Sequence, residues 1–194
     1  MQIKKFEQIQ FSNILFDSLF SLVLFFSMDS FLDIKNPLHF AFYLFSIIIL
    51  IHWWLCFKAA DDAFDEEVEN SGLDLIIGII ELVFIQYIVL MARSFDYLHA
   101  TIFLITLLAM DLLWAIIWRY IRKWHTNDQK KIATMKVELT SNIIINIIIL
   151  AAFIVFILMF PFLPALAFIS GFILLYLIYI ALSFIYKIID INIF

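Results

Sequence analysis

Six stretches of roughly twenty apolar residues, separated by short polar breaks, dominate this sequence: 11–31, 38–58, 73–92, 97–118, 138–160 and 162–186. A helix needs about 20 mostly apolar residues to cross the hydrocarbon core of a bilayer. The runs are continuous and do not alternate, which selects helices over barrel strands. Apolar types make up 65% of the 194 residues and charged types only 15%. Soluble domains carry about 25% charged residues, and one of this size buries only part of its surface. A water-soluble fold is therefore excluded. The expected fold class is an all-α integral membrane protein, one transmembrane domain over 1–194 built as a six-helix bundle of three hairpins.

The breaks carry the topology. Asp33, Lys35, Asn36 and Pro37 mark the first turn, with Pro37 suited to start a helix. Residues 59–72 form an acidic link ending at Gly72, read as a helix C-cap. Arg93 to Asp96 make a short turn, 119–137 a basic polar loop, and Pro161 to Pro164 the last turn. No three-helix repeat is visible. Cytoplasmic placement of the N-terminus puts ten basic residues inside: Lys4, Lys5, Lys58, Arg119, Arg122, Lys123, Lys130, Lys131, Lys136 and Lys187. Only Lys35 and Arg93 then lie outside. Trp53, Trp54, Trp114, Trp118 and Trp124 fall toward the same inner side. Both termini are expected in the cytoplasm, and the expected location is the inner membrane of a bacterial or archaeal cell. Lys4 and Lys5 precede an apolar run that holds Asp17 and has no small-residue cleavage site, so it reads as a retained helix.

Several function classes drop out. The net charge of −5 and the three glycines leave neither a nucleic-acid surface nor a Gly-rich phosphate loop. Cys56 stands alone, so an internal disulfide and a cysteine metal cluster are excluded. No cofactor is expected. Asp17 and Asp111 superficially suggest an intramembrane aspartyl protease, but their flanks FDSLF and MDLLW do not support one, and an enzyme is not expected.

Ionisable groups at membrane depth are the informative residues, because an Asp there costs at least about 2.5–3.5 kcal/mol and so faces protein or water. Asp17 and His52 each lie about six residues, and Glu81 and Asp111 about seven or eight, from the inner ends of their helices. At ~1.5 Å per residue all four sit about 9–12 Å deep. Folding about residue 35 sets Asp17 opposite His52 or Trp53, and folding about residue 96 sets Glu81 opposite Asp111. Asn142 and Asn146, one turn apart, join the same layer, with Asn13 one turn below Asp17. Such a layer can lock helices together, carry protons or bind a cation. A metal site would want a clearer ligand set, and none is expected. The acidic 59–72 and basic 119–137 segments share one side, where they can pair with each other or dock a partner.

Helix one also carries Ser18, Ser21 and Ser27 among bulky apolar residues. Asp17, Ser21, Leu24 and Met28 share one stripe, and Ser18, Leu22, Phe25 and Asp29 a neighbouring one. Ser21, Leu22 and Phe25 are candidates to line a narrow pore with an apolar constriction, or to pack helices closely.

The stretch Phe16-Asp17-Ser18-Leu19-Phe20-Ser21-Leu22, closing at Leu32-Asp33-Ile34-Lys35-Asn36-Pro37, resembles the first helix of the prokaryotic six-helix relatives of the lysosomal potassium channel. His52, Trp53 and Trp54 echo the Trp and His cluster of that family's second helix, and Trp118-Arg119-Tyr120-Ile121-Arg122 the end of its fourth. The chain departs from the pattern at Phe11, where the family carries Arg, and at Phe16, where it carries Ser. The resemblance implies a homo-oligomer, typically of four copies, with helix one lining a potassium-selective pore. Leu22 would match an apolar gate and Ser21 its small neighbour, while Asp17 with His52 would form a structural network.

The function expected is thus an oligomeric channel or pore-forming subunit for a monovalent cation such as potassium, embedded in lipid. Two alternatives remain open. One is a proton-coupled transporter or proton conductor using the Asp/His/Glu layer. The other is a non-conducting subunit that docks a cytoplasmic protein, as in a stress or defence system.

Overall fold

A computed structural model describes the backbone of residues 2–28, 34–64, 71–121 and 129–193, and within these the side chains outside 2–13, 59–64, 71–75, 131, 184 and 186–193. Six helices account for nearly all of it: α1 (Gln2–Met28), α2 (Pro37–Phe64), α3 (Ser71–Arg93), α4 (Tyr97–Ile116), α5 (Gln129–Leu158) and α6 (Ala165–Ile193). Five of them contain a segment long and apolar enough to cross a membrane: Pro37–Lys58, Ile76–Arg93, Tyr97–Ile121, Ile132–Leu158 and Ala165–Ser183. The described apolar stretch of α1, Ile14–Met28, is shorter. Large apolar side chains such as Leu113, Val155, Leu158 and Phe162 are more than half exposed. Water would not tolerate so much apolar surface, whereas lipid tails solvate it. The protein is a multi-pass helical membrane protein.

The chain divides into two compact units, Met1–Asp96 and Tyr97–Phe194, each holding three helices. In the first unit α3 packs against both α2 and α1, and α1 touches α2 less extensively than it touches α3. In the second, α5 packs against both α4 and α6. Each unit thus packs as a three-helix group around its shared helix, α3 in the first and α5 in the second.

Local chemistry explains the helix ends. Asn36 caps α2, its side-chain oxygen accepting the His39 N–H at 2.8 Å, and Pro37 supplies the first helical residue. Past Arg93, the Asp96 N–H reaches the Met91 carbonyl at 2.7 Å and the Phe95 N–H the Ala92 carbonyl at 3.1 Å. This paired closure places Phe95 in the left-handed region at φ 61°. A single turn of 3-10 helix at Phe160–Phe162 and Pro164 separate α5 from α6, as the prolines predict.

Two boundaries differ from expectation. Gly72 falls in the first turn of α3 and caps no preceding helix, and α2 runs on to Phe64 through the expected link. Asp65, Glu66, Glu67 and Glu69 lie outside the described residues. The basic segment is helical from Gln129, because Ile132, Met135 and Leu139 recur at helical spacing and bury the last two. Arg122, Lys123 and Trp124 lie outside the described residues.

Glycine sets the closest approaches. At Gly78 a Cβ would stand 3.1 Å from the Phe16 ring and closer still to Phe57, so α3 accepts the stacked Phe16–Phe57 pair only because no side chain is there. At Gly171 a Cβ would stand 2.6 Å from the Phe156 ring, which stacks on Phe168 with centroids 4.5 Å apart. Gly78→Val is expected to lower the thermal midpoint of the purified protein, an overpacking cost of about 1–3 kcal/mol. An unchanged midpoint would show that the Phe pair does not abut α3.

Candidate functional site

The polar groups at membrane depth gather into two clusters, one in each unit. In the first, residues 16, 17 and 20 of α1 meet residues 54, 57 and 58 of α2, both sets at the spacing of one helix face. Phe16 stacks on Phe57 with centroids 3.8 Å apart and Phe20 on Trp54 at 4.9 Å. Between them Asp17 presents its carboxylate to Lys58 Nζ at 2.9 Å and to Trp54 Nε1 at 3.2 Å. An ammonium and an indole N–H thus compensate both oxygens of the acid.

The Asp17–His52 pairing expected from the sequence is not formed. Counting from the turn found the level, since Trp54 is one residue from the position it named. Helical phase decided the partner: at 100° per residue, His52 lies about 200° around α2 from Trp54. The His52 ring nitrogen instead lies 3.5 Å from Cys56 Sγ, one turn along the same helix. Trp53 is buried with an indole N–H that meets no acceptor among the described residues. Near the other end of α1 the buried Ser27 donates to the Gln86 side chain at 3.4 Å, and the Tyr43 hydroxyl donates to the Ser27 carbonyl. The side chain of Asn13 lies outside the described residues.

These contacts fix the rotation of α1. Phe16, Phe20 and Ser27 turn inward and are buried. Ser18, Ser21, Leu22 and Phe25 turn outward, Leu22 at 54% and Phe25 at 68% exposure. The Ser18 hydroxyl donates to the Ile14 carbonyl at 2.7 Å and that of Ser21 to the Asp17 carbonyl at 2.8 Å. Each hydroxyl keeps acceptor capacity on the outer face.

The second cluster joins α4 to α5. Asn146, fully buried, donates from Nδ2 to Asp111 Oδ2 at 2.5 Å and to Asn142 Oδ1 at 3.2 Å, and Asn142 also hydrogen-bonds the Asp111 carboxyl. Asn146 Oδ1 has no donor among the described residues. Two turns further along, Arg119 Nε donates to Thr140 Oγ1 at 3.0 Å from a π-helical turn, Ile117–Ile121, that continues α4. Glu81, partly buried on α3, belongs to the first unit. Within the units the described residues form two polar groups, Asp17–Trp54–Lys58 in the first and Asp111–Asn142–Asn146 in the second.

Among the described residues no three His, Cys, Asp or Glu side chains converge as metal ligands. Lys58 and Trp54 were not anticipated as partners of Asp17, although their own i, i+4 spacing was available as a signal. The Arg119–Thr140 contact has no such signal, because by charge the basic segment looks like a loop. No family model, curated protein or solved structure matches the chain.

Two measurements test the clusters. In a double-mutant cycle, Asp17→Asn and Lys58→Met are expected to show a coupling of about 0.5–1 kcal/mol in thermal stability, a typical value for a half-exposed ion pair. Additive effects would mean the pair contributes nothing. Asn146→Leu, which strands Asp111, is expected to cost about 1–2 kcal/mol. Adding Asp111→Leu should recover most of that loss, and a further fall in stability would contradict the pairing.

Proposed function

We propose that the protein conducts monovalent cations as a homo-oligomer, with α1 lining the pore and both termini in the cytoplasm. The observation that carries this reading is the division of α1 into two faces. Its half-exposed acid is held by Lys58 and Trp54 at the edge of the packed face, while Ser18, Ser21, Leu22 and Phe25 are left on a face that no described residue covers. A pore-lining helix needs that arrangement: hydroxyls to solvate an ion, an apolar ring to gate it by dewetting, and no fixed charge to trap it. The resemblance of residues 16–37 to the potassium-channel relatives points the same way, with Leu22 at the gate and Asp17 in a structural role.

One observation favours a second reading. The unpaired oxygen of Asn146, next to Asp111, is a polar demand that a proton or cation in transit can meet. Flux from liposomes carrying the purified protein separates the two. Channel conduction predicts potassium flux that Leu22→Ala raises by widening the constriction and that Asp111→Asn leaves unchanged. Proton flux abolished by Asp111→Asn would transfer the function to the second cluster. Absence of both fluxes from folded oligomer would contradict conduction by either route.

A further inference from the structure

Ten of the twelve basic residues are expected on one side of the membrane, and Lys35 and Arg93 are the exceptions. In the structure these two, 58 positions apart in sequence, line a single cleft of about 500 Å³. Asn36, His39, Leu90 and Phe95 line it with them. The cleft lies where one span begins, at Pro37, and another ends, at Arg93. That is the depth of lipid headgroups.

His39 holds the cleft in shape. Buried to 2% exposure, it accepts the Lys35 backbone N–H at Nδ1 (3.3 Å), so its proton sits on Nε2, which faces the Ala92 carbonyl at 3.0 Å. The ring of Phe95 lies 5.1 Å from that imidazole. The turn before α2 is thereby pinned to the end of α3, and the two cations are brought together on a rigid frame. Only the backbone of Lys35 is used in this frame, and the residue is exposed.

We propose that this cleft binds the headgroup of an anionic phospholipid. The Lys35 ammonium and the Arg93 guanidinium take the phosphate diester, and Leu90 and Phe95 meet the glycerol and first acyl carbons. Guanidinium suits phosphate geometrically, ammonium adds a point charge, and the apolar pair distinguishes a lipid from a soluble phosphate. The site is independent of whether α1 conducts.

The test uses the full chain in neutral detergent, with retained lipid counted by native mass spectrometry. Phosphatidylglycerol, phosphatidylcholine and glycerol phosphate are the probes, and folding is checked by thermal midpoint. Phosphatidylglycerol should be retained in preference to phosphatidylcholine, and glycerol phosphate should not displace it. Lys35→Gln should weaken retention about five-fold, the usual effect of one basic residue near anionic lipid, and Lys35→Arg should restore it. Lys130→Gln, which removes an exposed charge from α5, should have no effect. Equal losses in Lys35→Gln and Lys130→Gln would reduce the effect to general charge and overturn the site. So would equal retention of the two lipids. Displacement by glycerol phosphate at similar concentration would replace the lipid with a free phosphate ester and overturn the lipid assignment.

Discussion

The grip of Lys58 and Trp54 on Asp17 sets the rotation of the first helix, and most of what distinguishes this protein follows from that rotation. A carboxylate near membrane depth cannot be left facing lipid, so α1 must turn Asp17 toward whichever neighbour offers positive charge and a hydrogen-bond donor. Trp54 and Lys58, one turn apart on α2, offer both. Phe16 and Phe20 come inward beside the half-exposed acid and stack on Phe57 and Trp54, and the missing side chain at Gly78 lets the Phe16–Phe57 stack settle against α3. Ser18, Ser21, Leu22 and Phe25 are left facing out. The outer face of α1 thus follows from the partners that Asp17 takes on α2.

The second unit solves the same problem without a cation. Asp111 is satisfied by Asn142 and Asn146, amides that carry no charge of their own. Asn146 spends both donor contacts of its nitrogen on oxygens and leaves its own oxygen unpaired. A fully satisfied network rigidifies a core, whereas one with an open acceptor is the place where a proton, an ion or a water has something to gain. The two units therefore differ in kind: a neutralised, aromatic-flanked ion pair in the first, and an uncompensated carboxyl among amides in the second.

Much of this was legible in the sequence, and the limits have physical reasons. Uninterrupted apolar runs identify the spans because lipid imposes length and composition on any helix that crosses it. Residue counting found the level of Asp17 on α2 to within one position, since rise per residue is nearly constant. It could not find the phase, because the choice between His52 and Trp54 depends on which side of α2 faces α1, and apolar residues surround that helix on every side. The start of α5 was misplaced for a related reason: Lys130, Lys131 and Lys136 look like a loop by charge, although Ile132, Met135 and Leu139 already repeat as a helix. In the sequence Lys35 and Arg93 are only markers of orientation. That they share a cleft depends on His39, whose two ring contacts bridge parts of the chain 53 residues apart or more.

The rotation of α1 is most directly tested by single cysteines on a Cys56→Ser background, placed at Leu22 and, for comparison, at the buried Phe20. If the outer face lines a pore between copies of the chain, a membrane-impermeant thiol reagent should modify the cysteine at 22 and block cation flux. Mild oxidation should also link two chains at that position, and the cysteine at 20 should do neither. Labelling of position 22 only by lipid-soluble reagents, with no cross-linking and no effect on flux, would place that face against lipid and contradict a pore lined by α1.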